Sequence, residues 1–162
     1  MSRMYDVVNK TRKKTDEIIW ALNPYLDNSG DLFAFIIDYC LNYFEGSGIH
    51  VNIVQQAKLQ DMQLRSRIRR DLFLVTKEIC NNTLKYSKAT EFSVKLDVTQ
   101  KELSMYFEDN GVGFDLENQK NNGNGLKNMK QRIGGLRGNL EISSIPGKGT
   151  SYRITIKFSE MS

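Results

Sequence analysis

Two kinds of hydrophobic periodicity occur in different segments of this chain, and together they restrict its possible folds more than any other feature. Apolar residues occupy every second position in the segments 92–98, 103–107 and 152–158. This alternation is the pattern of β-strands with one buried face. In other segments the apolar residues return every three or four positions, as one face of an α-helix requires. The chain therefore predicts a fold in which helices and strands are mixed.

Helices are predicted for the segments 4–22, 31–44, 63–87 and 126–136, and short strands for 49–54 and 139–144. Asn23-Pro24 ends the first helix, because the residue before a proline disfavours helical backbone angles. Helices and strands form stable layers when their apolar faces cover each other. We therefore expect a two-layer α/β sandwich, with helices on one face of a mixed, mostly antiparallel sheet. A length of 162 residues suits one such domain with a helical extension.

The composition excludes several classes of protein. With 2 cysteines and 1 histidine, the chain lacks the ligand set of a structural zinc site. Cys40 and Cys80 lie within apolar helical patterns, so we expect both to be reduced core residues. No apolar segment approaches the roughly 18 residues of a membrane span. Because residues 1–14 are polar and basic as well, we expect a cytoplasmic location.

Charge does not identify a partner, since the formal net charge is only +4. The densest basic cluster consists of Arg65, Arg67, Arg69 and Arg70. On a helix these side chains spread around the circumference, and Asp61 and Asp71 flank them. No aromatic pattern for base stacking accompanies the cluster. The sequence therefore argues against direct nucleic-acid binding.

One face of the predicted helix 63–87 carries three polar residues in a row. Glu78, Asn82 and Lys85 are spaced at i, i+4 and i+7, so they project from the same side. An amide oxygen suits Mg²⁺, an ammonium group suits a phosphate, and a carboxylate can orient or deprotonate a water. Taken alone, the row is more simply a solvated helix face.

Asp109 stands at the end of a predicted strand and is followed by Gly111, Gly113 and Phe114. A carboxylate there can accept a hydrogen bond from an exocyclic amine. Alternate glycines let the backbone approach a planar ligand closely. The alternative is a plain turn, because Asp-Asn-Gly also favours turns.

A second glycine-rich segment opens the predicted helix 126–136. Gly123 and Gly125 precede Leu126, and the backbone N–H groups at a helix N-terminus favour negative charge. A dinucleotide fingerprint is excluded, because Asn128 stands where it needs Gly or Ala.

A third glycine-rich segment joins two predicted strands as a tight hairpin. It contains Gly147, Gly149 and Thr150, and taken singly it is better interpreted as an ordinary β-turn. A P-loop is excluded, because Ile142 occupies the position of its first glycine and Gly149 follows Lys148.

The order of these four segments resembles the N, G1, G2 and G3 boxes of the Bergerat-fold ATPases, which include gyrase, heat-shock chaperones, mismatch-repair ATPases and histidine kinases. The boxes are residues 78–86, 109–114, 123–126 and 147–150. The segments 125–132 and 17–24 are also similar to histidine kinases whose partner regulators carry a NarL-type helix-turn-helix output. The resemblance covers nearly the whole chain. It implies an ATP-binding catalytic domain at 25–162, preceded at 1–24 by the end of a dimerisation helix.

At the adenine end, the resemblance implies that Asp109 binds the adenine amine and that Gly113 borders the base. Thr150 would support the base through water. Tyr86 stands where this group of kinases usually has a histidine. Other histidine kinases have an aromatic residue there that packs on adenine, so packing by Tyr86 is expected.

At the phosphate end, the resemblance implies that Asn82 holds Mg²⁺ and that Lys85 reaches a phosphate. Glu78 would stand where related ATPases keep a catalytic base. Gly123 and Gly125 would let a lid fold over the triphosphate. The other residues that match the ATP-contacting boxes are Gly111, Leu126, Gly147 and Gly149.

Histidine kinases of this type transfer the γ-phosphoryl group of ATP to a histidine on a dimerisation helix. The single histidine, His50, lies in a predicted strand, so we do not expect it to be the acceptor. The implied partners are the protein's own dimerisation domain, within a homodimer, and the receiver domain of a NarL-type response regulator. DNA contact would belong to that regulator, and the chain could be the cytoplasmic part of a membrane-anchored sensor.

Two other functions share these boxes. One is a nucleotide-binding regulatory module that transfers no phosphate and uses the amphipathic segment 4–22 as its contact surface. The other is a serine kinase of the anti-sigma-factor type.

Overall fold

Five strands form one sheet within the residues that the structure describes, which are 19–20, 23, 27–55, 61–116 and 124–158 of this computed structural model. In chain order they are β1 (His50–Gln55), β2 (Glu91–Val98), β3 (Glu102–Asp109), β4 (Asn139–Ser144) and β5 (Thr150–Lys157). Their order across the sheet is β1-β2-β3-β5-β4. Strand β1 runs parallel to β2, and the other neighbouring pairs are antiparallel. The predicted mixed, mostly antiparallel sheet is confirmed.

Helices cover one face of this sheet. In the described part of the chain they are α1 (Ser29–Phe44), α2 (Ser66–Asn82) and α3 (Gly125–Gly135). Every second residue of β2, β3 and β5 is buried, as the alternation in the sequence requires. These side chains and the apolar faces of the helices form one hydrophobic core. The expected two-layer α/β sandwich is therefore confirmed. None of the helices in the described ranges is long and apolar enough to cross a bilayer.

Several helix boundaries differ from the sequence prediction. Helix α2 begins at Ser66, three residues later than expected, and α3 is shifted by one residue. Helix α1 begins two residues earlier than expected, because the Asn28 side chain accepts a hydrogen bond from the Asp31 N–H at 2.8 Å and caps the helix. The predicted single helix 63–87 is wrong at its C-terminal end. Regular α-helix stops at Asn82, and the next five residues, Thr83–Ser87, form a π-helical turn. Such turns often mark functional sites.

Helices α1 and α2 pack around the two cysteines. The Sγ atoms of Cys40 and Cys80 lie 3.7 Å apart, and both thiols are free and buried. Their place in the core agrees with the sequence pattern. Burial raises the pKa of Cys80 well above its ordinary value, so this thiol stays protonated at neutral pH.

The single tryptophan joins the N-terminal segment to the helical layer. Trp20 stacks on Phe35 with ring centroids 3.8 Å apart, and Phe73 of α2 meets its edge at 6.1 Å. The guanidinium of the buried Arg69 lies over the Trp20 ring and donates to the Asn23 carbonyl at 3.0 Å. Ile19 and Trp20 are helical, whereas the rest of the predicted helix 4–22 lies outside the described residues. The boundary between 1–24 and 25–162 stays a prediction.

A buried carboxylate ties α3 to α2. Asp71 of α2 is only 6% exposed in its side chain and lies 3.3 Å from Arg132 of α3. Arg67 and Arg70 approach the same carboxylate at 3.7 and 3.5 Å. All three guanidinium groups are about half exposed, so solvent screens them in part. The cluster fixes the helix that begins with the G2 residue Gly125.

Replacing Asp71 by asparagine is expected to lower the free energy of unfolding by about 1–2 kcal/mol, because three positive charges lose one shared partner. Urea unfolding at low and high salt measures the loss, which should shrink at high salt. The matched control is Asp38→Asn, at an exposed carboxylate on α1. An equal loss in both variants, at both salt concentrations, would contradict the role assigned to the cluster.

Candidate functional site

Asp109 ends strand β3, as the sequence predicts, and its side chain is buried at the edge of the sheet with 3% exposure. One carboxylate oxygen, Oδ1, accepts the N–H of Gly111 at 2.9 Å. The other oxygen, Oδ2, lies 3.4 Å from the hydroxyl of Thr83. The N–H of Thr150 also bonds this carboxylate. Donors from three separate segments therefore meet at one acceptor.

The ionisation of Asp109 reflects two opposing effects. Burial raises the pKa of this carboxyl above its ordinary value, because a charged group loses hydration inside the protein. The hydrogen bonds from Gly111, Thr83 and Thr150 lower the pKa, and the neighbouring Glu108 adds a smaller increase. The donors thus partly restore the ionised form, which is the form that accepts hydrogen bonds.

Glycines let the segments around Asp109 touch through their backbones. A Cβ atom on Gly111 would overlap the carbonyl of Ser87, the last residue of the π turn. A Cβ on Gly113 would overlap the carbonyl of Ile145, and one on Gly149 would overlap the carbonyl of Asp109 itself. Gly113 and Gly149 also have φ values of +59° and +85°, which favour glycine. The π turn, the G1 box and the G3 box are therefore in direct backbone contact.

The predicted tight hairpin of the G3 box connects β4 to β5. The Gly147 N–H donates to the Val112 carbonyl at 2.6 Å, which joins the hairpin to the G1 segment. Ser144, at the end of β4, has its hydroxyl 2.9 Å from the Thr150 hydroxyl and accepts the Phe114 N–H at 2.9 Å. The predicted turn is confirmed. Its contacts with the G1 segment do not follow from the sequence pattern.

The N box meets the same region through a buried phenol. Burial raises the pKa of Tyr152 well above its ordinary value, and the charge of Asp109 raises it further. A hydrogen bond with the Asn82 side chain opposes this rise, whereas Glu78 adds to it. The Tyr152 hydroxyl therefore bonds Asn82 and lies within electrostatic reach of Asp109 and Glu78. Asn82 and Glu78 are half-buried on α2.

Lys85 and Tyr86 lie in the π turn and are exposed, Tyr86 to 68%. The i, i+4, i+7 alignment assumed a regular α-helix. Because the π turn follows Asn82, Lys85 does not keep that exact spacing around the helix axis. Its ammonium group faces solvent at the end of the N box.

The G2 box is only partly described. Gly125 is the first residue of α3, and a Cβ on it would overlap the carboxylate of Glu78, so the N-terminus of α3 abuts the N box. Leu126 is half-buried and packs against the hydrophobic core. Gly123 lies outside the described residues.

Sequence reasoning missed three hydroxyl groups at this site. Thr83 lies inside the predicted helix 63–87 and Ser87 is its last residue, whereas the strand pattern identifies Tyr152 only as an apolar residue. A signal for Tyr152 exists, because a phenol at a fully buried strand position must find a polar neighbour. No comparable signal marks Thr83, whose partner is distant in the chain.

Similarity to known proteins agrees with this geometry. Residues 67–160 match the sequence profile of the family described as histidine kinase-, DNA gyrase B-, and HSP90-like ATPase. The signal transduction histidine-protein kinase/phosphatase DegS of Bacillus subtilis is 35% identical over 103 residues, which cover 62% of this chain and 27% of that protein. DegS of Brevibacillus brevis is 31% identical over 131 residues, covering 81% and 33%. The chain thus spans a third or less of these curated relatives.

Solved structures share the fold. The histidine kinase domain of the Erythrobacter litoralis EL346 blue-light activated histidine kinase aligns with a TM-score of 0.64 at 19% identity, over 80% of this chain and 62% of that chain. The Acinetobacter baumannii histidine kinase AdeS aligns with a TM-score of 0.63 at 16% identity, over 96% and 82%. At these identities the likeness concerns the fold alone. Since the family profile matches more than half of its residues, the chain belongs to the histidine kinase-, DNA gyrase B- and HSP90-like ATPases and is an ATP-binding domain of that family.

Proposed function

We propose that this chain is the catalytic part of a sensor histidine kinase, which transfers the γ-phosphoryl group of ATP to a histidine on a dimerisation domain. The observation that carries the proposal is the meeting of the N, G1 and G3 boxes at the buried Asp109 carboxylate. The sensor kinases among the relatives support the choice of reaction.

At the adenine end, Asp109 accepts a hydrogen bond from the exocyclic amine of the base. Gly111, Gly113 and Gly149 let the backbone segments beside Asp109 pack against one another, and this packing fixes the edge along which the base would lie. Thr150 supports the same edge from the start of β5. The exposed ring of Tyr86 supplies an aromatic face that the base can cover.

At the phosphate end, the side chains fit Mg²⁺. Asn82 and Glu78 present oxygen atoms one helical turn apart on α2, and hard oxygen ligands are what this ion prefers. Asn82 would hold Mg²⁺, which when bound neutralises charge on the phosphate oxygens. Lys85 reaches a phosphate as a point charge, and the backbone N–H groups that begin at Gly125 favour the same negative charge. Gly123 and Gly125 allow a lid over the triphosphate.

The reaction needs little from the protein beyond position and charge neutralisation. The lone pair of an imidazole nitrogen forms the new P–N bond, while the bond from the γ-phosphorus to the β-phosphate oxygen breaks and ADP leaves. Glu78 is the carboxylate at this end of the site and is the candidate catalytic base. His50 is exposed at the first position of β1, an edge strand, and is not the acceptor.

Partners follow from this reaction. The acceptor histidine belongs to the protein's own dimerisation domain, within a homodimer, and the phosphoryl group passes next to the receiver domain of a NarL-type response regulator. Residues 1–24 form the end of the dimerisation helix, and 25–162 form the catalytic domain. The domain works in the cytoplasm, where ATP and the regulator are found.

The direct test supplies a dimerisation domain in trans from a related sensor kinase. With Mg²⁺ and ATP labelled at the γ-position, the acceptor domain should gain acid-labile phosphohistidine. His50→Gln removes the single histidine of this chain and should leave the transfer unchanged. Acid-stable phosphate on an added protein would instead indicate a serine kinase, and saturable ATP binding without transfer would indicate a regulatory module.

Asn82→Ala is expected to slow this transfer roughly 100-fold. An effect of this size is usual when one group that stabilises a charged transition state is removed. The initial rate, measured over a range of Mg²⁺ concentrations, should also become half-maximal at higher Mg²⁺. Asn42→Ala is the matched control, because Asn42 is an exposed asparagine on α1. Equal rates for the two variants would contradict the assignment of Asn82.

A further inference from the structure

Thr83 is the first residue of the π turn, and the functions proposed above assign it no role. Its side chain is 1% exposed, so it is enclosed by protein. The hydroxyl is directed at Oδ2 of Asp109 from a distance of 3.4 Å. Thr83 and Asp109 are 26 positions apart in the chain, so only the fold brings them together.

The carboxylate of Asp109 is held at both oxygens. The Gly111 N–H fixes Oδ1, but this donor belongs to the turn that follows Asp109 itself. Thr83 contributes the side-chain donor from the opposite side, on the N box. The Thr150 N–H bonds the same carboxylate. A carboxylate held at only one oxygen can still rotate about its Cβ–Cγ bond, so the Thr83 hydroxyl is the side-chain contact that, together with these backbone donors, limits the plane of the group.

The backbone of Thr83 is itself tied to the G1 segment. Its carbonyl accepts the Ser87 hydroxyl at 2.7 Å, and the Ser87 carbonyl accepts the Val112 N–H at 2.7 Å. Gly111 packs directly against the Ser87 carbonyl. The π turn therefore places the Thr83 hydroxyl in a fixed relation to the loop that carries Asp109.

We propose that Thr83 is a positioning residue for base recognition, whose hydroxyl sets the orientation in which the Asp109 carboxylate meets the exocyclic amine of adenine. The inference rests on the proposed function, because it assigns Asp109 to the base. Thr83 does not touch the nucleotide in this role. It acts through the carboxylate, and its effect is confined to ligands that offer an amine to that carboxylate.

This mechanism also contributes to the choice between purines. An oriented, ionised carboxylate is an acceptor, which matches the 6-amino group of adenine. Guanine has a carbonyl oxygen at that position, and two facing acceptors repel each other. A site built around a polar group of the ligand discriminates strongly against analogues that lack it.

The test compares two ligands on matched variants of the full chain. Thr83→Val keeps the shape of the side chain and removes the hydroxyl, whereas Thr83→Ser keeps the hydroxyl. Fluorescence or calorimetric titration gives the dissociation constants for ATP and for purine riboside triphosphate, which lacks the 6-amino group. For ATP we expect Thr83→Val to bind about three- to tenfold more weakly and Thr83→Ser to bind within about twofold of the natural chain. For the amine-free analogue, Thr83→Val should bind as tightly as the natural chain.

Two outcomes overturn the inference alone, and both are distinguishable from failure of the proposed function. An equal loss for both ligands indicates a general structural role for Thr83. No loss for ATP in Thr83→Val, while Asp109→Ala binds weakly, shows that the hydroxyl contributes nothing. If the natural chain does not bind ATP saturably, the proposed function fails and the inference with it. Should Thr83→Val not fold, Thr83→Ala with the same two ligands replaces it.

Discussion

Asp109→Ala is expected to bind ATP roughly 10- to 150-fold more weakly than the natural chain, the effect of losing one hydrogen bond to a charged group worth about 1.5–3 kcal/mol. The carboxylate is buried and faces donors from three segments, so no neighbouring side chain can replace it. Titration with a fluorescent ATP analogue in the presence of Mg²⁺ measures the change. Binding equal to that of the natural chain would remove Asp109 from the site.

The ionised carboxylate of Asp109 should favour ATP binding but lower the stability of the protein without ATP. Burial raises the pKa of Asp109, so the folded protein binds this proton more tightly than the unfolded chain does. Above the folded pKa the ionised carboxylate therefore destabilises the fold, and stability rises as the pH falls through that pKa. Asp109→Asn removes the titrating group, so its melting temperature relative to that of the natural chain should be highest at neutral pH. This difference should fall as the pH is lowered towards the ordinary range of an aspartate.

Measuring both ATP affinity and stability in the Asp109 variants distinguishes a binding role of this residue from a structural one. A carboxylate that only supported the fold would make the protein less stable when replaced, at every pH above its pKa. A binding carboxylate held in a buried position costs stability while the site is empty, which is a common feature of functional sites. A melting-temperature difference between Asp109→Asn and the natural chain that does not change with pH would contradict the pKa direction.

Gly149→Ala is expected to destabilise the protein by at least about 2 kcal/mol, through a left-handed backbone angle and a steric overlap together. Gly149 has φ +85°, and its new Cβ would overlap the carbonyl oxygen of Asp109. Because that oxygen belongs to the backbone at the end of β3, it cannot move aside alone. ATP affinity should fall as well, since the displaced residue is Asp109.

Gly147→Ala is the matched control for this prediction. Gly147 lies in the same turn and has a similar φ of +80°, but a Cβ on it would meet nothing within 4 Å. The free energy of unfolding should fall by about 1 kcal/mol, from the left-handed backbone angle alone. Urea unfolding of the two variants isolates the overlap as the difference between them. Equal losses would show that the close approach of the G3 and G1 boxes does not limit the fold.

The strands were predictable because each repeats a local pattern. The alternation in 92–98 and 152–158 gave the buried faces of β2 and β5, and the polar Asp-Asn-Gly sequence gave the end of β3 at Asp109. The order of strands across the sheet was not predicted. It depends on pairings between distant segments, such as β3 with β5, that no short window of sequence contains.

The missed features are of the same non-local kind. Nothing in the residues 83–87 alone distinguishes a π turn from one more α-helical turn, because the turn is held by contacts with the G1 segment. The hydroxyl of Tyr152 is matched by Asn82, which lies on a different layer of the fold. Sequence spacing identified which segments carry the site, and packing determined how their side chains meet.

The stacking of Trp20 has a mechanical consequence. Helix α2 has 17 residues and is therefore about 25 Å long. Its first half contacts Trp20 through Phe73 and Arg69, and its last five residues include Glu78 and Asn82. A regular helix is stiff over this length, so α2 rigidly connects the Trp20 contact to the N-box residues. We therefore expect a displacement of Trp20 to move α2 as a unit and to shift the side-chain oxygen atoms of Asn82 and Glu78.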